Sequence, residues 1–134
     1  MSTAIYINFD GRCREAFAFY ADVLGAEIGH LLTYGQSPAA GQVPADWQDK
    51  IINGDIELNG LRIAGGDLLP EQYAPPAGFA ILVPTEDKTQ TEAFFEALSR
   101  DGTVDFPLQE TFWSPCYGIV TDQFGVTWKL NCKP

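Results

Sequence analysis

The fold is decided by three runs near the carboxyl end: Gln109-Glu110-Thr111-Phe112-Trp113, Tyr117-Gly118-Ile119-Val120-Thr121-Asp122 and Phe124-Gly125-Val126-Thr127-Trp128-Lys129-Leu130-Asn131. They are rich in aromatic and β-branched residues, which favour strands, and turn-forming residues separate them. We therefore predict three short β-strands joined by tight turns. Alternation along the last run places Val126, Trp128 and Leu130 on one face and Thr127, Lys129 and Asn131 on the other.

The first half of the chain predicts the order β-α-β-β-β. Residues 3–9 alternate like a half-covered strand, and an amphipathic helix follows from Cys13 to Leu24, with Gly25 at its end. Strands are predicted over 26–34, 50–58 and 61–67, with an irregular loop over 35–49. The pair Asn59-Gly60 favours a type I′ hairpin between the last two strands, because both of its residues must adopt positive φ. We expect Ile52, Ile56 and Leu58 to lie on the face opposite Asn53, Asp55 and Glu57.

The second half repeats this order. A strand is predicted over 79–83, and a helix follows over 87–100. Asp87 is the predicted cap at the start of this helix, and Gly102 is the predicted terminating residue after it. The three carboxyl-terminal strands complete the second half. The proline-rich segment 69–78 is the predicted linker between module one, about 3–68, and module two, about 79–134. We interpret the repeat as an internal duplication within a single α+β domain of 134 residues.

Composition narrows the possible partners. The formal net charge of −10 disfavours binding to nucleic acid and to anionic membranes, and no apolar run is long enough to span a bilayer. The three cysteines, Cys13, Cys116 and Cys132, are far apart and predict neither disulfides nor a zinc site. We interpret Cys116 as structural. The amino terminus lacks a secretion signal, so the sequence predicts a cytoplasmic location.

The chain resembles the PhnB-like branch of the vicinal oxygen chelate superfamily, which includes glyoxalases, dioxygenases and bleomycin-resistance proteins. The resemblance is carried by 6–11 with Cys13, Glu15-Ala16 and Phe19-Tyr20, by 109–113, and by 120–122 with 124–126 and Trp128. It implies paired β-α-β-β-β modules that form a curved, open half-barrel with helices outside and a ligand cleft. It also implies a homodimer.

The same resemblance implies metal ligands that this chain lacks. The starts of the two modules, 4–6 and 78–80, supply no good ligand, Asn53 stands where several relatives have His, and Lys129 stands where glyoxalase-like relatives have Glu. An ammonium has no lone pair to donate to a metal. We therefore predict no metal and no cofactor, and no catalytic residue is assigned. The only histidine, His30, is interpreted as an edge-strand residue rather than as a metal ligand or a general base.

The predicted ligand cleft contains Tyr6, Asn8, Asn53, Asp55, Glu57, Trp113 and Lys129. Lys129 has two readings: it pairs with Glu57 or Glu110, or it binds an anionic group of a ligand such as a carboxylate or a phosphonate. The leading hypothesis is a protein that binds a small organic molecule without a conventional metal site.

Two alternative functions stay open. The first is a metal-dependent lyase, isomerase or dioxygenase with an atypical carboxylate site, for which Asp55, Glu57, Asp67 and Glu110 offer oxygens to a hard divalent cation. The second is a structural or regulatory dimer without catalysis. A demethylubiquinone methyltransferase label that some PhnB-like families carry is unsupported, because no glycine-rich strand-to-helix turn is present.

Overall fold

A computed structural model describes residues 2–134. The chain divides into two compact units, the first ending at Pro75 and the second beginning at Pro76, within the predicted linker. The first unit contains β1 (Ile5–Phe9), α1 (Cys13–Leu24), β2 (Glu27–Thr33), β3 (Ile51–Leu58) and β4 (Leu61–Asp67). The second contains β5 (Ile81–Thr85), α2 (Lys88–Ser99), β6 (Thr103–Gln109), β7 (Tyr117–Thr121) and β8 (Thr127–Cys132).

Both units have one topology. The first sheet has the strand order β1-β4-β3-β2 and the second has the order β5-β8-β7-β6. In each sheet the first strand is parallel to the last, and the remaining pairs are antiparallel. This repeat confirms the predicted α+β class of paired β-α-β-β-β modules with open sheets. The half-barrel arrangement of the two modules, and their union in a single domain, stay predictions.

Each unit has its own apolar core on one face of its sheet. In the first unit the largest fully buried side chains are Ile7, Phe9, Phe17, Tyr20, Ile51, Ile56 and Ile63. In the second they are Leu98, Val120, Val126, Trp128 and Leu130. The buried positions of β8 alternate with half-buried Thr127, Lys129 and Asn131, as the sequence predicts. The opposite face of each sheet carries half-buried and exposed side chains.

The turn and capping residues agree with the sequence prediction at three places. Asn59 and Gly60 have φ of 51° and 85°, as a type I′ hairpin requires. Gly25 ends α1 in the left-handed region, and its N–H donates to the Tyr20 carbonyl. Asp87 caps α2 by accepting a hydrogen bond from the Gln90 N–H at 2.8 Å. After α2, however, Asp101 has the positive φ of 56°, so the prediction that Gly102 ends the helix was wrong.

Two strands lie elsewhere than predicted. The run 109–113 is not a strand: β6 ends at Gln109, and a turn follows in which the Thr111 N–H donates to the Ser114 carbonyl at 2.9 Å. The strand predicted over 79–83 is β5, which begins and ends two residues later. Both observed strands contain a proline, Pro107 in β6 and Pro84 in β5. Both are edge strands, where a missing N–H leaves no ladder bond unmade.

Two other predictions are changed by local irregularity. Ile52 was expected on the buried face, but Ile51 is buried there instead, because the β2–β3 register shifts between Leu32 and Thr33. Such a bulge moves one residue out of the alternation. The loop predicted over 35–49 contains three short 3₁₀ turns, at Tyr34–Gln36, Ala40–Gln42 and Ala45–Trp47.

No helix of residues 2–134 has the length and apolar character needed to cross a bilayer.

Candidate functional site

The seven predicted cleft residues fall on two separate sheets. Tyr6, Asn8, Asn53, Asp55 and Glu57 lie on the first sheet, on strands β1 and β3. Lys129 lies on β8 of the second sheet, and Trp113 lies in the turn after β6. Their convergence on one cleft stays a prediction, so each group is described within its own unit.

Asp55 on the first sheet is engaged by three donors. Its Oδ1 accepts a hydrogen bond from the His30 N–H at 3.1 Å, and the His30 Nδ1 lies 3.1 Å from the same oxygen. Its Oδ2 accepts from the Arg62 Nε at 2.8 Å. Burial opposes ionisation, but the hydrogen bonds from His30 and Arg62 outweigh it and lower the pKa of Asp55. Asp55 is therefore an ionised structural anchor rather than an open ligand.

His30 and Gly29 form a bulge on the edge strand β2, where the register with β3 shifts. The bulge leaves the His30 N–H outside the ladder, and Asp55 accepts its hydrogen bond. A Cβ at Gly29 would come within 2.2 Å of the Asp55 Oδ1. Position 29 must therefore be glycine for the Asp55 carboxylate to reach the bulge. His30 lies on the edge strand β2, as the sequence predicts.

The other predicted residues of the first sheet carry few fixed contacts. The Tyr6 hydroxyl donates to the Ile52 carbonyl at 3.3 Å, and burial raises the pKa of Tyr6. Asn53 is half-buried opposite Leu32, and Glu57 is exposed between Glu27 and Arg62. Asn8 is exposed on β1. These groups offer polar contacts, but the structure does not make them a catalytic set.

Sequence reasoning missed a buried polar centre at the end of β4. Asp67 is 2% exposed, and its carboxylate accepts hydrogen bonds from the N–H groups of Cys13 and Ile51, both at 2.9 Å. Its backbone carbonyl accepts from the Tyr34 hydroxyl at 2.5 Å. Burial raises the pKa of Asp67. No pattern in the sequence signals this role, because the partners are backbone groups of distant segments.

A cavity of about 290 Å³ adjoins this centre. It is lined by Gly11, Arg12, Arg14, Glu15, Asp49, Lys50 and Asp67. The cations have partners already: Arg12 pairs with Glu15 at 2.7 Å, and the Lys50 Nζ donates to the Gly11 carbonyl at 2.9 Å. Since the charged side chains of the lining balance one another, the cavity has no evident preference for a charged ligand.

The second sheet carries groups without partners. Lys129 is half-buried, and its neighbours across the strands are apolar, Ile119 on β7 and Leu82 on β5. Within residues 76–134, Lys133 forms an ion pair with Glu86. No carboxylate of this unit pairs with Lys129. The predicted pair with Glu110 is therefore wrong. The pair with Glu57, which belongs to the first unit, stays a prediction.

Two polar atoms of this unit are buried without a hydrogen bond from residues 2–134: the Asn131 Oδ1 and the Thr111 Oγ1. Asn131 lies two residues after Lys129 on the same face of β8. It is directly opposite Tyr117 on β7. A buried acceptor without a donor costs free energy.

Aromatic rings continue from Tyr117 into the turn after β6. The ring of Trp113 lies 5.2 Å from that of Tyr117, in an edge-to-face arrangement, and Phe112 lies 4.7 Å from Trp113. Phe112 is 96% exposed and Trp113 is 49% exposed. A cavity of about 310 Å³ is lined by Glu110, Thr111, Phe112, Trp113, Ser114, Pro115 and Pro134. We call the group Trp113, Tyr117, Lys129 and Asn131 the Lys129 surface.

The residues present do not fit the metal that the fold family implies. Among residues 2–134 no three His, Cys, Asp or Glu side chains are grouped closely enough to hold a metal ion. Asp55 is occupied by His30 and Arg62, and Asp67 by backbone N–H groups. Glu57 is an exposed carboxylate whose cross-strand neighbours are Glu27 and Arg62. The carboxylate site built from Asp55, Glu57, Asp67 and Glu110 is therefore not assembled here.

Comparison with known proteins places the chain in a family. A family model described as 3-demethylubiquinone-9 3-methyltransferase matches residues 2–131. The protein YjdN of Escherichia coli is 30% identical, with 98% of this chain and 95% of YjdN covered. The crystal structure of PA1353 from Pseudomonas aeruginosa is 36% identical, has a TM-score of 0.87, and covers 99% of this chain and 98% of its own.

Two more distant structures are similar in fold alone. A PhnB protein from Bacillus cereus, titled a putative 3-demethylubiquinone-9 3-methyltransferase, has a TM-score of 0.84 at 21% identity, covering 99% of this chain and 100% of its own. A mutant of the fosfomycin resistance protein FosX of Listeria monocytogenes, solved with Mn(II), has a TM-score of 0.67 at 10% identity, covering 100% of this chain and 93% of its own. These two similarities confirm the fold class, and the family model over residues 2–131 confirms the predicted PhnB-like resemblance.

Proposed function

This chain belongs to the PhnB-like family described as 3-demethylubiquinone-9 3-methyltransferase, and from that premise we propose that it binds a small organic molecule without a conventional metal site. The binding groups lie on the sheet faces opposite the helices. One observation carries the proposal: Lys129 is half-buried between apolar neighbours, and no carboxylate of its own unit pairs with it. A partly buried ammonium is costly without a counter-charge, and a bound ligand supplies one.

The first sheet supports this choice by contrast. There Asp55 is occupied by both His30 and Arg62, and Glu57 is exposed to solvent. In the second unit the Lys129 surface contains an ammonium, a buried amide oxygen without a partner and two aromatic rings. Small-molecule sites commonly combine apolar walls with a few polar groups of this kind. We therefore assign the main ligand contacts to the Lys129 surface, with the polar residues of the first sheet as further candidates.

The methyltransferase activity in the family description is not part of the proposal. Nucleotide-type cofactors are often held at a glycine-rich strand-to-helix turn, where the backbone approaches them closely. The strand-to-helix connection of the first unit, 10–12, contains one glycine, and that of the second, 86–87, contains none. Neither provides such a turn.

A thermal-shift screen of small metabolites tests the proposal. A ligand that binds the folded protein raises its unfolding midpoint by mass action. We expect at least one anionic metabolite to raise the midpoint of the wild type and to do so much less for Lys129→Met. Lys133→Met is the matched control, because Lys133 is an exposed cation paired with Glu86. Hits that stabilise Lys129→Met as strongly as the wild type contradict the assignment of the ligand to this surface.

We also propose that the chain forms a homodimer. The edge strands β2 and β6 expose apolar side chains, Ile28 and Leu32 on the first and Val104 on the second. Exposed strand edges of this kind commonly pair with another chain. Sedimentation velocity should give a mass of about twice 14.7 kDa. A monomer at every micromolar concentration tested would contradict this proposal.

A further inference from the structure

We propose that the Lys129 surface takes a small aromatic oxyanion that carries a hydrogen-bond donor a few bonds from its charge, such as an aromatic hydroxy acid. This inference rests on the proposed function and specifies the class of ligand. It follows from three features of the second unit: an ammonium without an anionic partner, a buried acceptor without a donor, and an exposed aromatic wall next to them.

The charge requirement comes from Lys129. The basic residues of the second unit are Lys88, Arg100, Lys129 and Lys133. Lys88 begins α2 and Arg100 ends it, and Lys133 pairs with Glu86, so Lys129 is the cation that the face of this sheet presents. Ile119 and Leu82 flank it across the strands and offer it no hydrogen bond. A carboxylate, phosphonate or phosphate group placed there makes a charge-assisted hydrogen bond in a partly apolar setting.

The donor requirement comes from Asn131. Its Oδ1 is buried and accepts no hydrogen bond from residues 2–134. Residues two apart on one strand are separated by about 7 Å, so Lys129 and Asn131 are reached by one small molecule. Asn131 as a residue is half-buried, so rotation of its side chain turns the Oδ1 toward the ligand, where a hydroxyl or N–H group a few bonds from the oxyanion donates to it while the oxyanion contacts Lys129. Ligands without that donor leave the acceptor unpaired and bind more weakly.

The aromatic requirement comes from Tyr117 and Trp113. Tyr117 is directly opposite Asn131, and the Trp113 ring continues the wall at 5.2 Å from the Tyr117 ring. Leu82, beside Lys129, is 55% exposed and extends the apolar surface at the other side. The carboxylate of Glu110 lines the cavity that Trp113 also lines, which disfavours an anion at that end. The ligand ring therefore lies toward Trp113 and the oxyanion toward Lys129.

Three matched probes, all with the aromatic ring, test the charge and the donor requirements. Mandelate has the ring, the carboxylate and the hydroxyl; phenylacetate lacks the hydroxyl; and mandelamide lacks the charge. Dissociation constants are measured by titration calorimetry or, for weak binding, by saturation-transfer NMR, on the 134-residue chain. We expect mandelate to bind at least about tenfold more tightly than mandelamide, and more tightly than phenylacetate.

Variants separate the contributions. Lys129→Met should weaken mandelate binding about tenfold or more and leave mandelamide binding nearly unchanged, whereas Lys129→Arg retains most of the affinity. Asn131→Leu should remove the advantage of mandelate over phenylacetate. Lys133→Met should behave as wild type. The unfolding midpoint of each variant, measured without ligand, shows that the variant is folded before its binding constants are compared.

Equal affinity of mandelate and mandelamide, or an unchanged mandelate affinity in Lys129→Met, overturns the inference. If a neutral metabolite from the thermal-shift screen still binds in that case, the proposed function stands and the class of ligand is wrong. If neither the screen nor the probes give a bound ligand, the proposed function fails together with the inference.

Discussion

Asp67 shows how one buried carboxylate ties three segments of the first unit together. Its oxygens accept from the N–H groups at the start of α1 and of β3, and it lies itself at the end of β4. Because the side chain is 2% exposed, its removal leaves the N–H groups of Cys13 and Ile51 without their acceptor in a largely buried place. Burial raises the pKa of Asp67, and the hydrogen bonds to its carboxylate offset that effect only in part.

Asp67→Ala should therefore lower the free energy of unfolding by about 2–4 kcal/mol, since two buried N–H groups lose their acceptor. Urea unfolding followed by circular dichroism measures the change. Asp22→Ala removes an exposed carboxylate from α1 and serves as the control, with an expected change within about 0.5 kcal/mol. Equal effects of the two substitutions would show that the Asp67 hydrogen bonds do not stabilise the fold.

The free energy of unfolding that Asp55 contributes depends on pH, and the lowered pKa of Asp55 gives the direction of that dependence. Its pKa is lowered in the folded state, so its contribution to stability is present above the unfolded-state pKa of about 3.9 and is lost as the pH falls through the folded-state pKa. Asp55→Asn keeps an acceptor for the His30 N–H but loses the charge that pairs with Arg62. We expect the stability difference between wild type and Asp55→Asn to stay constant from pH 7 to about pH 5 and then to shrink toward pH 2.

Urea unfolding at a series of pH values measures this difference. Glu57→Gln is the matched control, because it neutralises an exposed carboxylate on the same strand and should change stability at pH 7 by less than about 0.5 kcal/mol. A stability difference for Asp55→Asn that is constant over the whole pH range would contradict the ion pair with Arg62.

At the scale of the element, the β2 bulge depends on the absence of a Cβ atom at Gly29. Gly29→Ala places a Cβ within 2.2 Å of the Asp55 Oδ1, so either the carboxylate or the strand must move. We expect a loss of about 1–3 kcal/mol in the free energy of unfolding, the usual cost of overpacking. Gly41→Ala is the matched control, since a Cβ there meets nothing within 4 Å.

A double-mutant cycle separates this clash from a general loss of backbone freedom. When Asp55 is replaced by Ala, the added methyl at position 29 has no carboxylate to displace, so the cost of Gly29→Ala should fall. If the cost is the same with and without Asp55, the conflict lies in the backbone and the bulge does not depend on the side chain of Asp55.

Elements follow from the sequence where one local pattern decides them. Alternation placed Trp128 inside and Lys129 on the open face, and Asn59-Gly60 set its hairpin. Pro84 and Pro107 made β5 and β6 hard to predict from the sequence. An edge strand tolerates a proline, whereas a central strand does not. The aromatic run 109–113 suggested a strand, although its exposed Phe112 packs on Trp113 in a turn.

Contacts between distant segments could not be predicted from the sequence. The bulge at His30, the acceptor role of Asp67 and the absence of a carboxylate partner for Lys129 within its unit each depend on which strands are neighbours and in what register. Alternation gives the face of a side chain but not its partner. The face of a strand residue could therefore be predicted, while the contacts that make Asp55 structural and leave Lys129 without a carboxylate partner in its unit required the pairing of the strands.

At the scale of the whole molecule, 18 acidic residues against 8 basic ones give an acidic chain whose carboxylates are dispersed. Dispersed carboxylates bind divalent cations weakly and without fixed stoichiometry, whereas a tight site needs several ligands arranged around one point. No three potential ligands are so arranged among residues 2–134. The fold shared with FosX therefore does not by itself predict a metal in this protein.

We expect the purified protein, incubated with Mn²⁺ or Zn²⁺ and then desalted, to retain much less than one equivalent by elemental analysis. Removal of divalent cations with EDTA should leave the unfolding midpoint unchanged, because no metal-binding free energy is coupled to folding. The double variant Glu57→Gln/Glu110→Gln is the control that identifies a carboxylate site. One equivalent retained by the wild type and lost by the double variant would restore the metal-dependent alternative and replace the Lys129 surface as the centre of function.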